Sequence, residues 1–254
     1  MIVILIIVTI SFFTIIYMWK VARENHVKHH ELFFENLPGS FSGYTIFFIA
    51  DVHRRLIDDE IITRIKNKAN MIIIGGDLTE KGVPYSRTEE NIQKLRSVAP
   101  VIFIWGNNDY EVNTEKLEDI FKRNHVTVLE NRSIQIKSGK NEHICITGFS
   151  EFTKEEPEPD RVLFSVNKDV FKIAVCHNPK IVRKIFNHHS ISLLLCGHTH
   201  GGQIRFAGFG WYPNGKLYCK NNMKILVTNG YGTTKLPLRL GSKPETHLIT
   251  LRKG

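Results

Sequence analysis

Five short apolar runs in this chain each stop at a residue able to bind a metal ion, and that regularity limits the folds open to it more than any other feature. "YTIFFIA" ends on Asp51, "MIIIGGD" ends on Asp77, and "VIFIWGNND" turns to Gly106 and Asn107. "FKIAVCH" ends on His177, and "ISLLLCGHTH" delivers His198 and His200. Runs of this length and β-rich composition suit strands buried on both faces. Helical patterns lie between several of them. Ser86-x-x-Glu89 reads as a capping box ahead of Ile92, Leu95 and Ala99 on one face. Thr114 reads as the cap of a second helix with Leu117, Ile120 and Phe121 as its apolar stripe. Pro179 reads as the first turn of a third, with Ile181, Val182 and Ile185 inward. Alternating strands and helices predict a layered α/β architecture whose site lies at the carboxyl ends of the strands. After Gly201 the chain reads as hairpins and loops, with "KILVTNG" and "ETHLITL" as closing strands.

The N-terminus follows other rules. Residues 2–19, "IVILIIVTISFFTIIYMW", carry no charge and match the length of a bilayer-crossing helix. Thr9, Ser11 and Thr14 can bond back to helix carbonyls, and Tyr17 and Trp19 sit where amphipathic rings favour the interface. A cleaved signal peptide would want basic residues before the run and small residues after it, and neither is present. Residues 1–20 are therefore expected to be an uncleaved transmembrane anchor. Lys20, Arg23 and Lys28 follow it, which by the positive-inside rule places the rest of the chain in the cytoplasm. Residues 21–42, with a turn at Pro38 and Gly39, read as a juxtamembrane linker in which His26, His29 and His30 are solvated. Residues 43–254 form the expected folded domain.

The chain of 254 residues is long enough to bury a proper core. Its net charge of +9 favours phosphorylated ligands, nucleic acid or an anionic membrane without choosing among them. Cys145, Cys176 and Cys196 fall inside apolar runs and Cys219 outside them, and no two share C-x-x-C spacing. They read as reduced thiols rather than a zinc knuckle. The ligand types point elsewhere. Mixed carboxylate, amide and imidazole donors suit Mn, Fe or Zn better than Ca, and the lack of thiolates argues against a structural zinc.

D-x-H, G-D and G-N are each weak signals, but their order at successive strand ends is specific. "DVH" at 51–53, "GD" at 76–77, "GNND" at 106–109, His177 and "GHTH" at 197–200 resemble the calcineurin-like metallophosphoesterase superfamily. "GHTHGGQI" and "NGYGTTKLPLRLGSKPET" look like its branch of membrane-associated phosphodiesterases. The resemblance covers roughly Tyr44 to Leu251. It implies a sandwich of two mixed β-sheets flanked by helices and holding two divalent transition-metal ions. On the family pattern Asp51, His53 and His200 would hold the first ion, Asn107, His177 and His198 the second, and Asp77 would bridge both. Two such ions would neutralise the phosphate and generate a hydroxide for in-line attack, so no protein nucleophile is required.

One position departs from the pattern. The third residue of the family's G-N-H-[D/E] motif is a histidine that would protonate the leaving group, and here it is Asn108. An amide has no acidic proton to give, though it can hydrogen-bond a phosphate oxygen. Asp109, next in the motif, loses the imidazole it would orient. Arg54 reads equally as a guanidinium clamp on substrate phosphate and as a solvated turn, and Arg55 reads as solvated. His188 and His189 would close a helix, and His125, His143 and His247 lie outside the motifs. Phe206, Phe209, Trp211 and Tyr212 stand beside the metal loop as ordinary packing or as a platform for a lipid or base.

Three functions fit this sequence. One is an anchored dimetal phosphoesterase acting on a phosphodiester or diphosphate, on a phosphorylated small molecule or a membrane lipid head group. Another is a nucleotide or nucleic-acid phosphodiesterase, which the charge permits though no nucleic-acid-binding motif supports it. The last is a catalytically silent phosphate-binding relative. No motif points to a protein partner.

Overall fold

Strand β2 (Thr45–Ile49) shows why the apolar runs are continuous rather than alternating: all five of its residues are buried. Ile46 and Phe48 face a second sheet, while Phe47 and Ile49 face a layer of helices. A strand covered on both sides has no polar face to show. The computed structural model describes residues 1–254 and contains two six-stranded mixed sheets.

The first sheet runs β1 (Val27–Phe34), β12 (Thr246–Lys253), β2, β3 (Met71–Ile74), β4 (Val101–Ile104), β5 (Thr127–Leu129). All neighbours are parallel except the β12–β2 pair. The second runs β10 (Lys216–Lys220), β11 (Met223–Val227), β9 (Leu193–Cys196), β8 (Phe171–Val175), β7 (His143–Gly148), β6 (Arg132–Lys137). Its central strands are parallel and its two outer pairs antiparallel. The main core lies between the sheets, where Phe48, Ile73 and Ile104 meet Ile146, Ile173 and Leu195. Helices α2 (Asp59–Ile65), α3 (Tyr85–Arg96) and α4 (Thr114–Arg123) cover the outer face of the first sheet through Ile61, Ile92, Leu95, Leu117 and Phe121. The second is covered more thinly, by α5 (Pro159–Leu163) and 3-10 turns around Ile181 and Ile185. The expected sandwich of two mixed sheets flanked by helices is present.

Helix boundaries differ from the sequence reading in detail. α3 begins after Pro84 with no side-chain cap, so Ser86 lies inside it. Glu89, free of the capping box, instead grips Arg123 of α4 with bonds of 2.6 and 2.8 Å. Asn113, not Thr114, caps α4 by accepting the Lys116 N–H at 2.9 Å. Pro179 opens a 3-10 turn over Pro179–Arg183, and His188 and His189 lie in another rather than at a helix end. Cys145, Cys176 and Cys196 are buried free thiols, and Cys219 is exposed.

Helix α1 (Ile2–Val21) is long and apolar enough to cross a membrane. Thr9 and Thr14 donate to the Leu5 and Ile10 carbonyls, each at 2.8 Å, which hides their hydroxyls. Only its last turn touches the domain, through Met18 and Val21. The segment after it is not the linker expected. Residues 27–34 are the edge strand β1, in register with β12 from Val27↔Thr246 to Phe34↔Lys253. Leu32, Phe34, Leu37 and Phe41 enter the inter-sheet core, so the folded domain takes in most of 21–42. Nor is His30 solvated. Its Nε2 lies 3.0 Å from His247 Nδ1, and burial, followed by the charge of His247, pushes its pKa down to about 4.

Candidate metal centre

Five strands deliver the site, and each does so within four residues of its carboxyl end. Asp51 and His53 follow β2, Asp77 follows β3, and Asn107 follows β4. From the facing sheet, His177 follows β8, and His198 and His200 follow β9. Parallel strands side by side make this convergence geometric rather than accidental. The loops are sharp: Asp51, His53, Asp77, His198 and His200 all have positive φ, between 50° and 73°. Left-handed backbone at non-glycine residues is unfavourable and persists only where the surroundings hold it. Here they do. Asp51 N–H donates to Gly76 O at 2.9 Å, His53 N–H to Asp77 O at 3.0 Å, and Gly197 N–H to His177 O at 2.9 Å. The packing leaves no space at two of the motif glycines. A Cβ on Gly76 (φ +90°) would stand 2.5 Å from His177 Nδ1, and one on Gly106 would stand 2.3 Å from Asp77 Oδ1.

All seven predicted ligands come together. Asp77 Oδ2 lies 3.2 Å from His177 Nε2 and 3.7 Å from His53 Nε2, so one carboxylate oxygen faces both halves of the cluster. Asp51 Oδ1 is 3.3 Å from His200 Nε2, which in turn is 3.1 Å from His53 Nε2. On the other side, His198 Nδ1 meets Asn107 Oδ1 at 2.9 Å. Asp51, His53, Asp77, His177 and His200 are buried, while Asn107 and His198 are half-buried and form the open side.

The donor set fits cations. His177 Nδ1 lies 2.8 Å from the Gly75 carbonyl, which can only accept, so the proton sits on Nδ1. That leaves Nε2 buried with no hydrogen-bond partner, pointing at Asp77. Burial alone would lower the His177 pKa, but Asp77 and Asp51 hold it up to about 10. Two carboxylates sunk in one cavity require positive charge beside them. Burial and neighbouring positive charge keep His198 down at about 4 and His200 well below its ordinary value. His198 and His200 are thus neutral, the form of imidazole that binds metal.

A family model described as calcineurin-like phosphoesterase matches residues 44–202. The chain belongs to that family. It is 44% identical over 236 residues to the Bacillus subtilis (strain 168) uncharacterized protein YpbG, covering 92% of this chain and 90% of that one. It is 28% identical over 244 residues to phosphodiesterase YaeI of Escherichia coli (strain K12), covering 89% and 87%. It is also similar, at 24% over 92% of its length and 59% of the relative's, to a Danio rerio transmembrane protein with metallophosphoesterase domain. Among solved structures, the phosphopantetheinyl hydrolase PptH of Mycobacterium tuberculosis shares the fold, with a TM-score of 0.50 at 12% identity over 74% of this chain and 89% of that one. As a member of this family the chain is a metal-dependent phosphoesterase, and its Asp/His clusters are suited to a dinuclear centre.

The remaining phosphoesterase candidates divide. Asn108 lies at the open side, its Nδ2 donating to Glu111 Oε1 at 2.9 Å and its Oδ1 accepting from Asn107 Nδ2 at 2.9 Å. Its backbone N–H donates to Asp77 Oδ1 at 2.8 Å, which turns the other carboxylate oxygen toward the histidines. Asp109 does not face the cavity mouth. It is fully buried and accepts three backbone N–H groups, from Asp77 (2.7 Å), Gly106 (2.9 Å) and Thr79 (3.0 Å). Burial and the charge of Asp77 raise its pKa to about 7 against the pull of those donors. It ties two ligand loops together rather than handling substrate. Arg54 keeps most of its side chain exposed while pairing with Glu80 and donating to Lys81 O at 3.1 Å. Arg55 is not solvated: it lies 3.8 Å over the Tyr231 ring and donates to the Arg23 carbonyl (2.7 Å), the Glu24 carbonyl (3.1 Å) and the Tyr231 carbonyl (2.9 Å).

Sequence reasoning missed two residues. Glu80 Oε2 lies 3.0 Å from His53 Nδ1, an ion-pair contact that turns His53 Nε2 inward. Arg239, buried behind His200, donates to the carbonyls of His200, Asn229, Gly230, Gly232 and Ser242. Neither sits in a motif, and only Arg239 lay in a stretch already singled out.

Proposed function

We propose that this protein is a membrane-anchored dimetal phosphoesterase that cleaves a phosphodiester or diphosphate bond, with a membrane lipid head group as the substrate class. The observation that carries the reading is Asp77 Oδ2 standing between His53 Nε2 and His177 Nε2, the position of a bridging carboxylate. Asp51, His53 and His200 would hold one ion and Asn107, His177 and His198 the other; when bound, the pair supplies Lewis acidity to the phosphate and to the attacking water. The protein's own groups do the rest. The half-buried Asn107 and His198 leave the phosphate an approach from one side. The amide of Asn108, on that side, donates a hydrogen bond to a phosphate oxygen and orients it. With no acid at that position, the leaving group departs as a weak base, which favours diphosphate and aryl ester linkages over alkyl esters. Cys176 and Cys196 offer no nucleophile, since burial raises both thiols far above neutrality. Similarity to a phosphodiesterase supports the bond type, and α1 with its trailing Lys20 and Arg23 supports a cytoplasmic domain held at the cell membrane.

Purified full-length protein loaded with Mn is assayed for metal content and for hydrolysis of an aryl phosphodiester, a soluble nucleotide diphosphate and a diphosphate-linked lipid. Two ions per chain with turnover, highest on lipid, is expected, and Asp77→Ala is expected to lose both ions while His198→Ala loses chiefly one. Full activity and metal in Asp77→Ala would overturn the dimetal reading, metal without turnover on any substrate would leave only a binding protein, and a preference for the nucleotide would overturn the lipid assignment.

A further inference from the structure

Phe206, Phe209 and Trp211 expose 80, 82 and 95% of their surface, although they follow a metal-ligand loop in a folded domain. The loop that carries them is not loose. Arg205 donates to the Gly201 carbonyl at 3.1 Å and also to the Tyr212 and Gly208 carbonyls, gathering the loop from inside. Phe206 and Phe209 exchange two backbone hydrogen bonds of 2.9 Å. The backbone is thus pinned while the rings point away from the protein. Exposed aromatic surface of this kind marks an interaction site.

Its place in the fold indicates the partner. Gln203 donates to the Thr234 and Leu236 carbonyls at 3.0 and 3.1 Å, and Arg205 N–H donates to Leu240 O at 2.7 Å. The next residue back, Arg239, donates its N–H to Met18 O in the last turn of α1 at 3.1 Å. The aromatic loop, the exposed Leu236 and the exit of α1 therefore belong to one hydrogen-bonded layer. Beside that exit Trp19 carries the Arg23 guanidinium 3.7 Å from its ring centroid, and Lys20 and Lys235 are exposed. Aromatic rings with flanking cations match a bilayer interface.

We infer that residues 204–212 form a second membrane contact, in which Phe206, Phe209 and Trp211 enter the interface of the bilayer crossed by α1. The inference rests on the reading of α1 as a membrane span. Ile204 is four residues beyond His200, so this contact ties the loop that carries His198 and His200 to the membrane surface.

The protein's three tryptophans make the test direct. Full-length protein is reconstituted in phosphatidylcholine–phosphatidylglycerol vesicles with and without brominated acyl chains. Trp105 is buried and gives a constant background. In Trp19→Phe protein the quenchable emission comes from Trp211, and in Trp211→Phe protein it comes from Trp19. The expected result is loss of emission in brominated vesicles for both variants. Quenching of Trp19 without quenching of Trp211 overturns the loop contact and leaves the span, as it would if the loop served a protein or nucleic-acid partner. Quenching of neither removes the span and the loop contact together.

Discussion

The guanidinium of Arg239 lies 3.3 Å from His200 Nδ1, across the ring from the Nε2 that faces Asp51 and His53. Burial lowers its pKa to about 10, and the nearby charges of Asp51 and Glu245 keep it from falling further. It has no carboxylate salt-bridge partner; its donors are spent on backbone carbonyls of the loops that carry His200 and Gly230–Gly232. The same residue's N–H holds the Met18 carbonyl. One side chain and its own backbone thus join helix α1 to His200.

Arg239→Met should leave several buried carbonyls without donors, each costing about 1–3 kcal/mol. We expect at least about 3 kcal/mol of lost stability, or roughly 6–12 °C in Tm for a domain of this size. Arg239→Lys should recover only part of it, because one ammonium cannot span carbonyls on both sides of the fork. Thermal unfolding of the three proteins decides it, and an unchanged Tm in Arg239→Met would contradict this account.

Glu80 should matter for metal affinity rather than for fold. Oriented imidazoles depend on their outer partners, and losing one typically costs about 10–100-fold in affinity. Glu80→Ala should therefore release metal to a chelator at least about tenfold more readily than the native chain. Arg54→Ala, which frees Glu80 without removing it, should have the smaller effect. Titration with a competing chelator reads both.

Asn108 predicts a dependence on the leaving group. Aryl oxides and phosphates leave without a proton, whereas alkoxides need one. The native enzyme should show a steep fall in rate as leaving-group pKa rises, and Asn108→His should flatten it by accelerating alkyl diesters. Parallel slopes for the two proteins would mean that this position does not face the leaving group.

Acid should unpin the N-terminal strand. Burial alone would raise the pKa of Glu245, but His247, Lys28 and the Asn229 N–H outweigh it and hold it down to about 2 from 4.5. A folded pKa below the unfolded one means stability that is complete above 4.5 and lost as pH falls toward 2. By the same relation this is worth at most about 3 kcal/mol. His30, held at about 4 from 6.5, acts in the same direction over the interval between those values. Denaturant midpoints measured from neutral pH downward should fall through both intervals, and Glu245→Gln should flatten the lower one. An unaltered acid limb in that variant would count against Glu245.

Each apolar run and its terminal ligand were legible in the chain because a strand covered on both faces needs continuous Ile, Leu, Val and Phe, and the residue after it must face the sheet's edge. That local order predicted a layered α/β architecture, and the uncharged run at 2–19 predicted the apolar helix, whereas the two mixed sheets and the set of seven site residues came from the resemblance to the family. Helix caps were placed only within a residue or two, since Pro84 and Asn113 compete locally with Ser86 and Thr114. Long-range pairing decided the remainder. Val27–Phe34 alternates weakly and carries His29, His30 and Glu31, so nothing local marks it as a strand; it becomes one by pairing with Thr246–Lys253 at the other end of the chain. The same holds for Glu80 behind His53, Asp109 beneath three backbone N–H groups, and Arg239 behind His200. Such residues act through partners tens to more than a hundred positions away, and a hydrogen bond across that separation has no period or spacing in the sequence.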